Sequence, residues 1–167
     1  YTYNSANQRI KEEDRYYEEG KVHQTGTQEY DASGYQILNQ YDRIGDDGEW
    51  YTDYKYVYDY NEDGYQTLYE YWDWNGSQLQ LLQAQYREYD AAGRQTSYKQ
   101  QDWDGAYLNM YCYRYAYDAQ GRQTLYEYTS DYETNWSHQI ETWSYNNDNT
   151  GIYTSIDSTL WKEGNSQ

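Results

Sequence analysis

The 167-residue chain contains no proline and no phenylalanine, one cysteine and two histidines. Branched aliphatic residues are scarce as well, with six Ile, two Val and eight Leu. A conventional aliphatic core is therefore excluded. The chain contains 28 Tyr and 7 Trp instead. Because a Tyr ring buries a large apolar area while its hydroxyl stays hydrated or hydrogen-bonded, we expect tyrosine to supply most of the buried surface.

Basic residues are also few, 12 against 29 acidic residues, and the formal net charge is −17. Such a chain is repelled by phosphate backbones and anionic lipid, so we expect no nucleic-acid partner and no membrane insertion. No hydrophobic run approaches the ~20 residues of a membrane helix. Low aliphatic content with high net charge is also typical of disordered chains, but the regular aromatic repeat favours a folded protein.

The residues that carry chemistry do not form a recognisable catalytic pattern. Cys112 is alone, which excludes an internal disulfide, and its strand-like surroundings predict a small packed residue. His23 and His138 have no Cys or Asp at metal-ligand spacing, so a zinc site is unsupported. No nucleophile elbow, phosphate-binding loop or metalloprotease motif occurs. With so many acids, two carboxylates at glycosidase spacing are expected by chance, so a glycoside hydrolase is only our third hypothesis.

Two oxygen-rich loops raise the question of calcium. They are DDGE at 46–49 and NNDN at 146–149, and hard cations prefer such oxygen ligands. Neither loop matches an EF-hand. We interpret both as solvated turns and predict no metal and no cofactor.

An internal repeat is the strongest pattern in the sequence. Six copies align on a tyrosine that precedes a turn, and consecutive anchors are 27, 30, 29, 28 and 28 residues apart. These anchors are Tyr3, Tyr30, Tyr60, Tyr89, Tyr117 and Tyr145. The terminal copies depart from the consensus, as stacked arrays predict. We therefore predict a single continuous array over residues 1–167.

The turn after each anchor has a physical explanation. In the motif Asp-x-x-Gly, the Asp caps its own turn and the Gly takes the left-handed conformation that closes a three-residue hairpin loop. The structural turn glycines are Gly34, Gly64, Gly93 and Gly121. Asn7 replaces glycine in the first copy. Across such a loop we expect Asp118 to flank Arg122, and Tyr117 to face Gln123.

Alternation with period two predicts strands on both sides of these turns, as in YKYVYDY at 54–60 and YCYRYAY at 111–117. A second loop containing Gly48, Gly76 or Gly105 separates consecutive units. We therefore predict an all-β fold of tandem antiparallel β-hairpins, with about six units and ten to twelve strands. The meander forms a single-layer sheet or a curved, spiral one. A closed barrel fits less well, since repeat arrays grow in one direction.

The same turn sets an expected register in each hairpin. It places Tyr56 and Tyr58 on one sheet face with Leu68, and Tyr69 and Tyr71 on the other face. We therefore expect tyrosines on both faces of the sheet. Cross-strand pairs of this kind each contribute roughly 0.2–1 kcal/mol, and a dozen strands offer many of them.

The segments YDAAGRQT at 89–96 and YDAQGRQT at 117–124 resemble the YD repeats of bacterial Rhs and toxin-complex proteins, which carry a Tyr-Asp-x-x-Gly-Arg-x-Thr core. Four good copies cover the turns and their flanks, although the spacing is longer than in that family. The resemblance implies a secreted or surface-exposed bacterial β-array, as among small uncharacterised tyrosine-rich proteins of Bacteroidetes. It implies no shell around a cargo, because the chain is too short to enclose one.

A second resemblance is to the aromatic repeats of choline- and glucan-binding modules, where Gly-x-Trp-Tyr precedes a tyrosine-rich strand. The segment GEWY at 48–51 matches this pattern once, and DGAY at 104–107 matches it in part. Those repeats are shorter than the ones in this chain.

Five tryptophans near the loops between units are the candidate binding residues: Trp50, Trp72, Trp74, Trp103 and Trp136. In a regular meander these loops share one sheet edge. A row of exposed indoles with acidic and amide neighbours suits sugar faces or an extended protein partner. Alternatively, the indoles plug the loops and pack on neighbouring units. Exposure of Trp74 and Trp103 would favour binding, and their burial would favour a structural role.

We therefore predict a non-enzymatic, extracytoplasmic binding or surface-interaction module whose ligand is a carbohydrate or a protein. The alternative is a purely structural spacer or shell segment of a larger assembly. The opening residues 1–3 have no signal-peptide pattern and are typical of a mature or trimmed start. The sequence leaves the oligomeric state open, because edge strands at the array ends pair unless charge protects them.

Overall fold

The computed structural model describes residues 1–5, 7, 9–18, 21–103, 108–132, 135–145 and 151–162. Its twelve β-strands are β1 (Thr2–Tyr3), β2 (Arg9–Glu18), β3 (Lys21–Tyr30), β4 (Gln36–Ile44), β5 (Trp50–Tyr60), β6 (Gln66–Trp74), β7 (Leu79–Tyr89), β8 (Gln95–Trp103), β9 (Leu108–Tyr117), β10 (Gln123–Tyr132), β11 (Asn135–Tyr145) and β12 (Gly151–Lys162). Strand order in the sheet follows chain order. The predicted fold class, an all-β antiparallel hairpin meander, is confirmed.

The chain divides into two compact units, 1–84 and 85–167. Unit 1 holds β1–β6 and the first part of β7, and unit 2 holds the rest of β7 and β8–β12. The continuity of a single array across this division stays a prediction.

The turns after the anchor tyrosines have the predicted geometry. The N–H of Gly34 donates to the Asp31 carbonyl at 3.1 Å, and the N–H of Asp31 donates to the Tyr35 carbonyl at 2.9 Å. The Asp31 carboxylate accepts the N–H groups of Ser33 and Tyr35 and so caps its own turn. The residues at the fourth turn position have positive φ angles: Asn7 60°, Gly34 89°, Gly64 83°, Gly93 75° and Gly121 83°. All five residues therefore take the left-handed backbone conformation.

An aspartate–arginine pair closes two of the turns in unit 2. The Arg122 guanidinium donates to the Asp118 carboxylate at 2.6 Å, as the sequence predicts, and Arg94 donates to Asp90 at 2.7 Å. The side-chain and backbone N–H groups of Arg94 lower the pKa of the Asp90 carboxyl from its ordinary value. Although burial acts in the opposite direction, hydrogen bonds from Arg122 lower the pKa of the Asp118 carboxyl as well, so both aspartates are ionised at neutral pH.

The residue that follows the turn glycine packs on the anchor tyrosine of the next copy. Arg94 lies over the Tyr117 ring at 4.8 Å, and Arg122 lies over the Tyr145 ring at 4.3 Å. The Tyr117 hydroxyl also donates to the Gln95 carbonyl at 3.0 Å. Through these contacts Tyr117 and Tyr145 each connect their own copy to the preceding turn.

In unit 1 a tyrosine takes the place of this arginine. The Tyr35 ring stacks on the Tyr60 ring with centroids 4.9 Å apart. Its hydroxyl lies directly against Gly64, so a Cβ at position 64 would overlap it. Gly64 is therefore required both by its positive φ and by this close approach, whereas a Cβ at Gly34 would meet open space.

Gly64→Ala should accordingly cost more stability than Gly34→Ala. Both substitutions place a Cβ at positive φ, which costs about 1–2 kcal/mol, but only the first also displaces Tyr35. We expect the melting temperature of Gly64→Ala to fall several degrees below that of Gly34→Ala, as measured by circular dichroism. Equal melting temperatures would contradict the close approach.

The register corrects the predicted distribution of tyrosines. Tyr56 pairs with Tyr71, and Tyr58 pairs with Tyr69, so all four lie on one face of the β5–β6 hairpin. The prediction that Tyr69 and Tyr71 lie on the face opposite Tyr56 and Tyr58 was wrong. The β9–β10 hairpin behaves in the same way, because Tyr113 pairs with Tyr128.

A β-bulge just after the turns at 31–35, 61–65 and 118–122 causes this difference. Tyr60 pairs with Gln66, but the preceding residue, Asp59, pairs with Leu68. Thr67 is therefore an extra residue in β6, and every later side chain of that strand changes face. Thr124 has the same position in β10, since Tyr117 pairs with Gln123 as predicted and Ala116 with Leu125.

The bulges create one tyrosine face in each unit. The tyrosine face of unit 1 consists of Tyr41, Tyr51, Tyr54, Tyr56, Tyr58, Tyr69 and Tyr71, and that of unit 2 consists of Tyr98, Tyr111, Tyr113, Tyr115, Tyr126 and Tyr128. Neighbouring rings contact one another across the strands, with centroids between 4.7 and 6.2 Å apart. Ala84 is the one fully buried hydrophobic residue in the described part of the chain. Tyrosine packing thus replaces an aliphatic core.

Candidate functional site

A shallow groove of about 340 Å³ opens in unit 1. Three adjacent strands line it: β3 supplies Thr25, β4 supplies Asp42, and β5 supplies Trp50, Tyr51 and Thr52. We call this the unit 1 groove. It contains one of the five predicted binding tryptophans.

Strand register brings the polar groups of the groove together. Asp42 pairs with Thr25 on one side and with Thr52 on the other, so the three side chains form a row on one face. Trp50 lies two residues before Thr52 and therefore on the same face. Since Tyr41 and Asp42 are consecutive on β4, the tyrosine face and the groove lie on opposite faces of unit 1.

The Asp42 carboxylate is held in a fixed orientation. The Gln40 side-chain amide donates to its two oxygens at 2.9 and 3.1 Å, and the Thr52 hydroxyl donates to Oδ1 at 2.8 Å. Carboxylate oxygens accept up to about four hydrogen bonds in total. Asp42 thus keeps acceptor capacity for a further donor in the groove.

The two aromatic residues of the lining project to opposite faces of the sheet. Tyr51 is consecutive with Trp50 and Thr52 and pairs with Arg43, so its ring projects away from the Asp42 face. Tyr51 packs on Trp74 with centroids 4.9 Å apart, and the Arg43 guanidinium lies 5.1 Å above the Tyr51 ring. Arg43 is in turn paired with Asp53 at 2.9 Å. Trp50 is 45% exposed. Its indole therefore offers an apolar surface beside the Asp42 carboxylate.

The described lining residues offer a small set of polar groups beside an aromatic side chain. Asp42 is the one carboxylate among the described lining residues, whereas glycoside hydrolysis uses two carboxyl groups flanking the bond to be cleaved. The groove offers an aromatic surface, a charged acceptor and two hydroxyls. A few converging polar groups beside an aromatic side chain are typical of small-ligand binding sites.

The other predicted tryptophans of unit 1 are used in packing. The Lys55 ammonium lies 5.0 Å above the Trp72 ring, and the Trp72 indole N–H donates to Glu70 at 2.9 Å. Trp74 packs on Tyr51. Both indoles are half-buried. Each of these two indoles thus contacts a neighbouring side chain.

Unit 2 contains the remaining two candidate tryptophans, Trp103 and Trp136. Trp103 ends β8, pairs with Leu108 and is half-buried. Trp136 is the second residue of β11 and pairs with Asp131, and its side chain lies outside the described residues. Half-burial of Trp74 and Trp103 matches neither of the two outcomes expected for a binding edge or a structural role. Their binding role stays a prediction.

The other chemistry-bearing residues are held in local contacts. His138 Nε2 lies 3.0 Å from Glu127 Oε1, and Arg114 donates to the same carboxylate at 2.8 Å. His23 lies in β3, and Cys112 is a half-buried free thiol. Within the described ranges, no group of three or more His, Cys, Asp or Glu side chains could hold a metal ion.

Of the two loops considered for calcium, the structure describes the one at 46–49. In the loop at 46–49, Asp47 accepts the N–H of Glu49 at 3.0 Å, an interaction within the turn itself. The loop at 146–149 lies outside the described residues. No helix in the described part is long and apolar enough to span a membrane.

Sequence reasoning missed the polar half of the groove. Gln40 and Asp42 are two residues apart, which places them on one strand face, and this spacing was an available signal. The approach of Thr25 and Thr52 to Asp42 depends on the register of β3, β4 and β5, which residue types alone do not reveal.

The solved structures to which this chain is similar include two proteins from Bacteroides. A DUF3836 family protein from Bacteroides vulgatus is 15% identical, with a TM-score of 0.29 over 62% of this chain and 97% of that one. A protein of unknown function from Bacteroides fragilis is 13% identical, with a TM-score of 0.29 over 93% of this chain and 96% of that one. Similarity at this level supports no argument about this chain. No family model and no curated protein matches the sequence.

Proposed function

We propose that this protein is a non-enzymatic, extracytoplasmic binding module that takes a carbohydrate in the unit 1 groove. One observation carries the proposal: the exposed Trp50 indole lies beside the Asp42 carboxylate, which Gln40 and Thr52 hold in place. The extracytoplasmic location rests on the resemblance of the turn segments to YD repeats.

The chemistry of the groove matches the two kinds of surface that a sugar presents. The C–H face of a pyranose is apolar and packs on an aromatic ring, while its hydroxyls need hydrogen-bond partners. Trp50 supplies the ring, Asp42 supplies acceptors, and the Thr25 hydroxyl is both donor and acceptor. An open groove on a sheet face also admits one residue of a longer polysaccharide without requiring a chain end.

A glycan screen tests this proposal. Soluble cell-wall and storage polysaccharides are titrated into the full chain, with intrinsic tryptophan fluorescence as the readout, with and without calcium. We expect a saturable change for one ligand class that does not depend on calcium. A flat response across the panel would contradict carbohydrate binding.

Variants then locate the site. Trp50→Ala should weaken the affinity for that ligand at least about tenfold, a loss of ~1.4 kcal/mol, as measured by calorimetry. Asp42→Asn should also weaken it, because the new amide N–H groups would face the donors of Gln40 and Thr52. Trp103→Ala is the matched control in unit 2 and should bind as the wild type does. Equal losses of affinity for Trp50→Ala and Trp103→Ala would contradict binding in the unit 1 groove.

The alternative function is a structural spacer or shell segment of a larger assembly. It is favoured by the use of Trp72 and Trp74 in packing, since two of the five candidate indoles serve neighbouring side chains. A spacer would give no response in the glycan screen. Trp50→Ala would then change neither stability nor any binding property.

A further inference from the structure

Two tyrosines on the tyrosine face of unit 1 lie in a geometry that favours a covalent bond between them. Tyr41 in β4 and Tyr54 in β5 are directly opposite in the strand register. Their rings are stacked, with centroids 4.7 Å apart and planes inclined by 28°. Stacking brings the ring carbons next to each hydroxyl close to those of the opposite ring.

This pair lies at the end of a continuous series of phenol rings. Tyr54 contacts Tyr56 at 5.9 Å, and Tyr56 contacts Tyr71 at 5.1 Å. An electron vacancy produced on any of these rings can move to its neighbour, because the rings are chemically identical and in contact. Asp73 is directly opposite Tyr54 in the strand register, and its carboxylate can accept the proton released when a phenol is oxidised.

We propose that Tyr41 and Tyr54 form an oxidative cross-linking site at which hydrogen peroxide, used by a haem peroxidase, joins β4 to β5. Each phenol loses one electron and one proton to give a tyrosyl radical. The two radicals couple through a carbon–carbon bond between ring positions adjacent to the hydroxyls. The two displaced ring hydrogens then return to the phenolic oxygens, and one peroxide is reduced to two waters.

The product is a covalent connection between neighbouring strands. It would close a loop that contains the 45–49 turn and the start of β5, and therefore part of the unit 1 groove. Cross-links that close loops restrict the unfolded chain, so the oxidised protein should melt at a higher temperature than the untreated one. This inference does not depend on the proposed carbohydrate binding.

The sequence allows a direct test by peptide mapping. Trypsin cuts after Lys21, Arg43 and Lys55, so Tyr41 lies in the peptide 22–43 and Tyr54 in the peptide 44–55. The full-length protein is treated with peroxide and haem peroxidase at high dilution, its monomeric fraction is isolated and denatured, and the digest is analysed by mass spectrometry. We expect the two peptides joined, with the loss of two hydrogens and the bond located at Tyr41 and Tyr54.

Conservative variants separate this pair from general tyrosine oxidation. Tyr54→Phe and Tyr41→Phe keep the stacked rings but lack one phenol, and each should reduce the joined peptides to background. Tyr17→Phe is the control at a ring that is 62% exposed, and it should leave the yield unchanged. Separate peptides in the oxidised wild-type monomer, a bond at Tyr51 instead, or persistence of the product in Tyr54→Phe would overturn the proposal.

Discussion

Raising the pH beyond about 10 should unfold the protein in a steep transition. The cause lies in the two tyrosine faces and the adjacent anchor Tyr60. Burial raises the pKa of many phenols above the ordinary tyrosine value, and neighbouring phenols or carboxylates add to the effect in most cases. These residues are Tyr54, Tyr58, Tyr60, Tyr69, Tyr71, Tyr98, Tyr113, Tyr115 and Tyr126. An ionised phenol is therefore easier to accommodate in the unfolded chain than in the folded one.

Linkage fixes the direction of the effect. A group whose folded pKa is raised stabilises the folded state fully below its unfolded pKa, and this stabilisation is lost as the pH rises through the folded pKa. The unfolded phenols ionise near pH 10, so the window of lost stability begins there. Because many phenols contribute in the same direction, their effects add.

Two signals measured on the same sample test this prediction. Far-ultraviolet circular dichroism reports the strands, and tyrosinate absorbance reports ionisation. We expect most of the tyrosinate absorbance to appear together with the loss of strand structure and above the titration midpoint of a tyrosine peptide. Ionisation of nearly all phenols at the peptide's midpoint, with the strands intact, would contradict the packing described for the tyrosine faces.

Tyr113→Ala should be the most damaging single substitution in unit 2. The Tyr113 ring contacts Tyr128 at 4.9 Å, Tyr98 at 5.7 Å and Tyr126 at 6.2 Å, so it joins three strands. Aromatic-to-alanine substitutions in a core cost about 3–5 kcal/mol. The ring of Tyr113 is half-buried, and we therefore expect a loss of about 2–3 kcal/mol, measured by urea unfolding.

Two further variants show whether the ring or the hydroxyl is responsible. Tyr113→Phe keeps the ring contacts and should retain most of the stability. Tyr17→Ala removes a ring that is 62% exposed and should stay within about 0.5 kcal/mol of the wild type. A loss for Tyr113→Ala no larger than that for Tyr17→Ala would mean that the ring contacts contribute nothing to folding.

The turns could be predicted from the sequence because few residue types satisfy their backbone. Only glycine, or asparagine as in Asn7, takes the left-handed conformation at low cost, and only a short acceptor such as Asp31 reaches the N–H groups of its own turn. The Asp-x-x-Gly motif is therefore a reliable sign of this turn geometry. Its recurrence on an anchor tyrosine also led to the correct pairing of Tyr117 with Gln123.

The sheet face on which each tyrosine lies could not be predicted in the same way. The bulge residues Thr67 and Thr124 are ordinary strand formers, and nothing in their side chains distinguishes an extra residue from a paired one. A shift of one residue transfers a whole strand to the other face. Because the bulge was not foreseen, we expected tyrosines on both faces of each hairpin, whereas the structure places them on one face.

The candidate site was predicted only in part, again because residue types do not reveal the strand register. Trp50 could be recognised because it is a tryptophan that lies beside a loop between units. Asp42 is one of 29 acidic residues, and only the pairing of β4 with its neighbours distinguishes it. The arrangement of an exposed indole beside an oriented carboxylate is thus a property of the register rather than of a sequence motif.

Nuclear magnetic resonance with an isotope-labelled chain tests sugar binding in the unit 1 groove most directly. A ligand from the glycan screen is titrated, and the Trp50 indole N–H and the backbone N–H groups of Thr25 and Thr52 are followed. We predict that these signals shift together with one dissociation constant, while the Trp103 indole does not move. Shifts concentrated at Trp103, or none at Trp50 at saturation, would contradict the account.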